Sequence, residues 1–418
     1  MNSKFAWLML LPALVMAQED IVEPETENKL EWNGNFDVKY SLFHMSQSSP
    51  LYRLQFHNKD ISSSLSQYRL EPYLNAEYRT QDLGFQLRTH ATYYSEQESG
   101  FDLFEAYGDY HPSLNLSIQA GKRVYSWGKG YAFNPAGFVN PAKDPENPEL
   151  AQAGLLSANA EYIRSFSSVV LQTFSALLVV IPQNPVINKR FGEVKYTDIA
   201  LKLSFLLWDM DIDLLTYQSS ATPTKYGLDF SGNLQENLEL HAEFSVARSA
   251  QRSVIANGTV QANESDITSY LLGVRYLNAW NTTVIAEYYH NGLGLSRSEY
   301  ESYNDFLLSG LAAGTPDALQ QTWATVQTYF KSSTLMREYL YVKVSQPEPF
   351  DWLYFTPSLF SIYNLSDGSF LLSASLNYKP TTNVEFILWP SLLIGGESSE
   401  FGSRQARQRI EFWMRVFF

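Results

Sequence analysis

From Leu30 to Ser41 the chain alternates. Leu30, Trp32, Phe36, Val38 and Tyr40 fall on one parity, and Glu31, Asn33, Asn35, Asp37, Lys39 and Ser41 on the other. A period of two sends these sets to opposite faces of a β-strand. Tyr68, Leu70, Leu74, Ala76 and Tyr78 repeat the pattern against Gln67, Arg69, Glu71, Asn75, Glu77 and Arg79. After Gln81–Gly84 it resumes with Phe85, Leu87, Ala91 and Tyr93 against Gln86, Arg88, His90 and Thr92. Two long alternating runs joined by a tight turn predict a hairpin.

The same pattern places further strands near 102–110, 114–124, 155–166, 168–181, 198–208, 212–218, 226–233, 238–248, 268–277, 282–290, 335–346, 353–363, 370–379, 384–393 and 406–418. The total is 18, and 16 is also compatible because such boundaries carry about 2–4 residues of play. Short connections, near 81–84, 111–113, 167, 209–211, 234–237, 278–281, 347–352 and 380–383, alternate with longer ones. This predicts an all-β fold, a transmembrane antiparallel β-barrel with short periplasmic turns and long extracellular loops.

A soluble sandwich or propeller would also alternate. It fits less well with strands of ten or more residues and with aromatics near strand ends: Tyr78, Tyr93, Trp208, Tyr217, Tyr276, Trp280, Tyr288, Trp352 and Tyr378. Those suit the girdles of a barrel in lipid.

The chain ends support the same assignment. Lys4, an apolar run from Phe5 to Met16 and the small residues before Gln18 predict a cleaved signal peptide over 1–17. An acidic periplasmic tail then spans 18–29, and the barrel 30–418. The last strand alternates Ile410, Phe412, Met414, Val416 and Phe418 with Arg409, Glu411, Trp413, Arg415 and Phe417. An amphipathic final strand ending in Phe418 resembles the signal read by the barrel-assembly machinery of Gram-negative outer membranes.

Composition narrows the chemistry. There is no cysteine, so thiolate catalysis, thiolate metal sites and disulfides are excluded. Net charge is −14, or −15 once Lys4 leaves with the leader, which disfavours nucleic acid as a partner. Aromatics make up 15% of residues although mean hydropathy is only −0.23. After residue 17 no apolar run reaches the ~18–20 residues of a membrane helix, and the longest lies around Leu177–Ile181. Neither Gly-x-Ser-x-Gly nor His-Glu-x-x-His occurs, and His90 and His241 sit at inward strand positions without a catalytic motif. No enzyme, metal or cofactor is expected.

In a barrel the polar parity faces the lumen, placing Arg69, Arg88, Glu243, Arg407 and Arg409 there among charges of both signs. About 18 strands enclose an aqueous channel. The stretch 121–154 interrupts the alternation with Gly128, Gly130, Gly137, Pro135, Pro141, Pro145 and Pro148, which cannot continue a ladder. Tyr125, Trp127, Tyr131, Phe133 and Phe138 are interleaved with Lys129, Lys143, Asp144, Glu146 and Glu149. An inward fold around 125–150 would make this stretch a constriction; an ordered surface loop is the alternative. In 291–334, Thr315 and Pro316 predict the start of a helix bearing Leu319, Trp323, Val326 and Phe330. Asn257-Gly258-Thr259 and Asn263-Glu264-Ser265 match glycosylation acceptors by pattern only.

Phe104–Tyr110 (FEAYGDY), Gly121–Arg123 (GKR), Trp127–Gly130 (WGKG) and the pairs Asn134-Pro135 and Asn140-Pro141 resemble the third-hairpin region of porin-like outer-membrane barrels, of the alginate-export type or a related family. The resemblance implies an 18-strand barrel for solute passage, with Glu105, Tyr107, Arg123, Trp127 and Lys129 in the lumen. Alginate-export barrels have strongly basic pores, whereas the lumen expected here is balanced. The function expected is diffusion of small solutes across the outer membrane. Uptake of hydrophobic or amphipathic molecules, or a surface receptor or adhesin, are the alternatives. A homo-oligomer is compatible, although no strand face marks an interface.

Overall fold

The computed structural model describes residues 29–58, 62–95, 99–141, 143–189 and 195–418. The expected leader and nearly all of the tail lie outside the described residues. Eighteen strands follow in chain order: β1 (Leu30–Met45), β2 (Ser64–Arg79), β3 (Leu83–Tyr94), β4 (Gly100–Ser113), β5 (Leu116–Arg123), β6 (Leu155–Ser165), β7 (Leu171–Gln183), β8 (Tyr196–Leu207) and β9 (Met210–Gln218). The second half comprises β10 (Lys225–Gln235), β11 (Leu238–Ala256), β12 (Thr259–Leu277), β13 (Thr283–His290), β14 (Glu338–Ser345), β15 (Phe355–Asn364), β16 (Phe370–Thr381), β17 (Val384–Ile394) and β18 (Ala406–Phe417). Each pairs antiparallel with its sequence neighbours, and β18 pairs with β1 from Asn35↔Phe417 to Met45↔Ala406, which closes the sheet. Phe418 completes the seam through reciprocal main-chain hydrogen bonds with Gly34, both 3.0 Å. A closed sheet leaves no unpaired edge, the condition for a β structure in hydrocarbon.

Parity sorts the side chains as the alternation predicts. Asp37, Lys39 and Ser41 are buried inside, while Trp32 and Leu42 are exposed outside. β7 departs from this: Leu178 and Val180 face out, yet Leu177, Val179 and Ile181 are also apolar and buried on the inner face. The longest apolar run is therefore a strand covered on both sides. Trp208, Trp280 and Trp352 are exposed at the short-turn rim, as a girdle requires. Tyr217 is not part of it: it is 1% exposed, and its hydroxyl donates to Asp198 inside the barrel.

β11 and β12 run well past their expected ends, and their ladder continues to Ala256↔Thr259. The turn between them is Asn257-Gly258, with φ of 52° and 73°. This left-handed pair suits a two-residue hairpin and places Asn257 of the first glycosylation-like triplet in a turn, while Asn263 of the second lies within β12. The extension escapes the period-two pattern because consecutive Val254 and Ile255 both bury under a helical cap.

That cap comprises α1 (Pro50–Gln55), α2 (Arg297–Ala313) and α3 (Pro316–Tyr329). α3 starts as expected, with the Thr315 hydroxyl accepting the Ala318 N–H. α2 was not expected, although Ser296 and Glu299 form a full capping box. Tyr300, Tyr303 and Leu307 of α2 pack with Val326 and Phe330 on the inner-wall residues Tyr339 and Leu371. Part of the mouth is thereby filled with apolar side chains.

Replacing Leu178, outward near the middle of β7, by arginine is expected to cost about 2–4 kcal/mol in denaturant unfolding from lipid vesicles.

Candidate functional site in the barrel lumen

The segment between β5 and β6 turns into the barrel, where it has no strand to pair with. Its amides are taken up by two buried carboxylates. Glu243 of β11 accepts the N–H groups of Lys129 at 2.7 Å and Gly130 at 2.6 Å on one oxygen, and that of Ala136 at 2.9 Å on the other. Glu287 of β13 accepts from Tyr131 and, at 2.9 Å, from Ala132, and its Oε1 lies 2.9 Å from His241 Nε2. The Lys143 ammonium donates to the carbonyls of Gly130 and Tyr131. Gly128 has φ of 90°, and a Cβ there would lie 2.7–3.0 Å from the Glu243 carboxylate. The glycine is what lets the backbone approach the acid.

The loop's other face is apolar. Tyr125, Trp127, Phe138 and Val139 pack on the apolar inner wall of β6 to β9, including Leu177, Val179 and Leu215. Asn140 staples the turn, accepting the Trp127 N–H at 2.9 Å and donating to the Trp127 carbonyl at 2.6 Å.

The residues expected in the lumen divide into two groups, with Arg407 in neither. Glu105 accepts the Val124 N–H at 2.9 Å and lies 3.3 Å from Arg88. Arg123 sits over the rings of Tyr107 and Tyr125, and the Tyr125 hydroxyl meets Ser157 at 2.8 Å. Lys129 reaches Asp213 at 3.3 Å, and Tyr131 donates to Glu149 at 2.6 Å. These residues, with Trp127 and Glu243, hold the loop in place. Arg69 and Arg409 line the open cavity instead. Arg407 is the extra residue of a bulge, since His44 pairs with Gln408 and Met45 with Ala406; it is exposed and makes no ion pair among the described residues.

The cavity holds about 520 Å³ between loop residues 144–153 and a wall from β17 and β18 through β1 to β4. Along that wall runs an alternating chain of charges. Glu146 of the loop joins Arg404 at 2.9 Å to Arg409 at 3.0 Å. Arg409 meets Glu411 at 3.1 Å, Glu411 meets Arg69 at 2.8 Å, and Arg69 lies 3.8 Å from Glu71. Glu71 binds Lys39 at 2.5 Å, Lys39 lies 3.6 Å from Asp37, and Arg415 joins Asp37 at 2.9 Å to Glu385 at 3.3 Å. Five bases thus alternate with five acids. Aromatic groups flank them: Tyr73 stacks on His90 with centroids 4.3 Å apart, Phe104 lies 4.9 Å from His90, and Trp389 pairs with Trp413 at 5.4 Å. The alternation gave the inward parity of Lys39, Glu71 and Glu411 but no means of selecting them as cavity residues. Trp389 carried no separate signal.

Comparison with solved structures bears on the architecture. OccAB1 of Acinetobacter baumannii aligns with a TM-score of 0.55 at 8% identity, over 93% of this chain and 96% of that one. OccK11 (OpdR) of Pseudomonas aeruginosa gives 0.53 at 9% over 93% and 96%, and a BenF-like porin of Pseudomonas fluorescens Pf-5 gives 0.53 at 8% over 93% and 98%. The fold is that of outer-membrane porins. No protein-family model matches the chain, and no curated protein matches it in sequence. The agreement covers the coarse part of the sequence resemblance, a porin-like barrel of 18 strands; the alginate-export type is not shown by it.

Glu243→Ala is expected to leave three loop amides unpaired, lowering stability by about 1–3 kcal/mol and speeding hydrogen exchange at 129–136. Unchanged exchange there would show that Glu243 does not hold the loop. In the cap, Arg252 grips both oxygens of Glu299, at 2.7 and 2.8 Å, and Arg337 adds a contact at 3.2 Å. The Arg252 guanidinium holds the Glu299 carboxyl at about 2, below the ordinary 4.5. A depressed acid stabilises fully above its unfolded value and less as pH falls through its folded one. Proteolysis within α2 should therefore rise as pH drops from about 4.5 toward 2, and Glu299→Gln should abolish that dependence.

Proposed function

We propose that this chain is a porin-like channel of the Gram-negative outer membrane, passing small hydrophilic solutes by diffusion through the gap between its inward loop and the charged wall. The observation that carries this reading is the cavity itself, bounded on one side by residues 144–153 and on the other by the ladder from Arg409 to Lys39. A loop pinned by buried carboxylates keeps a fixed cross-section, and fixed charge facing water filters what passes. Binding and orienting, rather than bond chemistry, is what these groups can do, so the reading is of a passive conduit and not an enzyme.

The wall argues against two other cargoes. A polyanion of the alginate type would need an uninterrupted basic track, and here every base of the ladder is matched by an acid. Hydrophobic uptake would draw on the apolar cluster in the mouth, but the remaining passage is lined by ion pairs. Recognition of β18 by the barrel-assembly machinery belongs to the same proposal, supported by the amphipathic β18 and the hydrogen bonds of Phe418 to Gly34 at the closing seam.

Purified, refolded protein in planar bilayers should give stable conductance steps. Deleting Tyr131–Pro148 should raise the step size; an unchanged value would remove the constriction from the proposal, and silence after confirmed folding would remove the channel.

A further inference from the structure

The charges around the cavity do not cancel once their pairing is followed. Lys39, Arg69 and Arg409 are engaged by Glu71, Glu411 and Glu146. A solute anion could reach these bases only by displacing a largely buried carboxylate, which would then lose its own partner. Asp102 and Asp144 are different. Asp102, exposed on β4, has neither ion pair nor side-chain hydrogen bond among the described residues. Asp144, on the loop, accepts the N–H of Glu146 at 3.0 Å and makes no ion pair among the described residues. Both line the cavity, one from the wall and one from the loop.

The aromatic groups act with the same sign. Tyr73, His90 and Phe104 form one platform and Trp389 stands beside Trp413, whose own face is taken by the Lys39 ammonium at 4.1 Å; the ring faces left to the cavity attract cations and offer a flat stacking surface. His90, also on the cavity, lies 3.7 Å from Glu71 and 3.2 Å from the Thr92 hydroxyl.

We infer that the passage selects small organic cations with a flat or apolar body, that Asp102 and Asp144 set the charge preference, and that the aromatic platforms receive the body. This rests on the channel reading and names its solute class. The wide wall ladder, conspicuous as it is, contributes no sign.

Reversal potentials across planar bilayers at neutral pH test it, first in a potassium chloride gradient and then with benzylammonium chloride against sodium benzoate as probes of similar shape and opposite charge. The wild-type channel should favour potassium over chloride, and benzylammonium over benzoate by several-fold. Asp102→Asn with Asp144→Asn should bring both ratios toward one while conductance persists, and Asp102→Glu should retain the preference. Conducting protein that favours chloride and benzoate, or a double variant with unchanged ratios, overturns the inference and leaves the channel standing. Folded protein that never conducts overturns the channel reading and this inference with it.

Discussion

A peptide segment inside a barrel must satisfy its amides without a strand partner, because a buried unpaired N–H is costly. Glu243 and Glu287 meet that demand for the loop after β5, taking the N–H groups of Lys129, Gly130, Ala136, Tyr131 and Ala132. The lumen takes its shape from this contact. With the loop fixed on β11 and β13 and its aromatic face laid on β6 to β9, open space is left beside β1 to β4 and the closing strands.

The seam where β18 meets β1 is also where the alternating charges run. Asp37, Lys39 and Ser41 of β1 face Glu411 to Arg415 of β18 across the closing register. Asp37 lies directly opposite Arg415, and that opposite-charge pair favours this register over a slipped one. Arg404 extends the chain of pairs outward, touching Glu146 of the loop and the Ser333 carbonyl between α3 and β14. The mouth and the inward loop are thus joined through one guanidinium.

Much of the barrel was legible. A strand with one face to lipid and one to water must alternate, and all 18 expected strands occur. Where that condition lapses, so did the reading. β11 and β12 outrun their expected ends because Val254 and Ile255 are covered by a helix, not by lipid. Tyr217 resembled a girdle residue by its place near a strand end, but an inner partner, Asp198, holds it inside. β7 could have signalled the docked loop, since its unbroken apolar run implies cover on both faces.

Residue order along the chain determined the fold class, a strand number of 18 or 16 and the inward parity of most charged residues, because each follows from local period and from what a bilayer tolerates. It also marked 121–154 as a segment unlike its neighbours. Only tertiary structure decided that this segment lies in the lumen, that Glu243 binds its backbone while Arg69 and Arg409 face the opening, and that Asp102 and Asp144 make no ion pair among the described residues. Pairing depends on distances between residues as far apart in sequence as Glu146 and Arg409, and no local pattern records those.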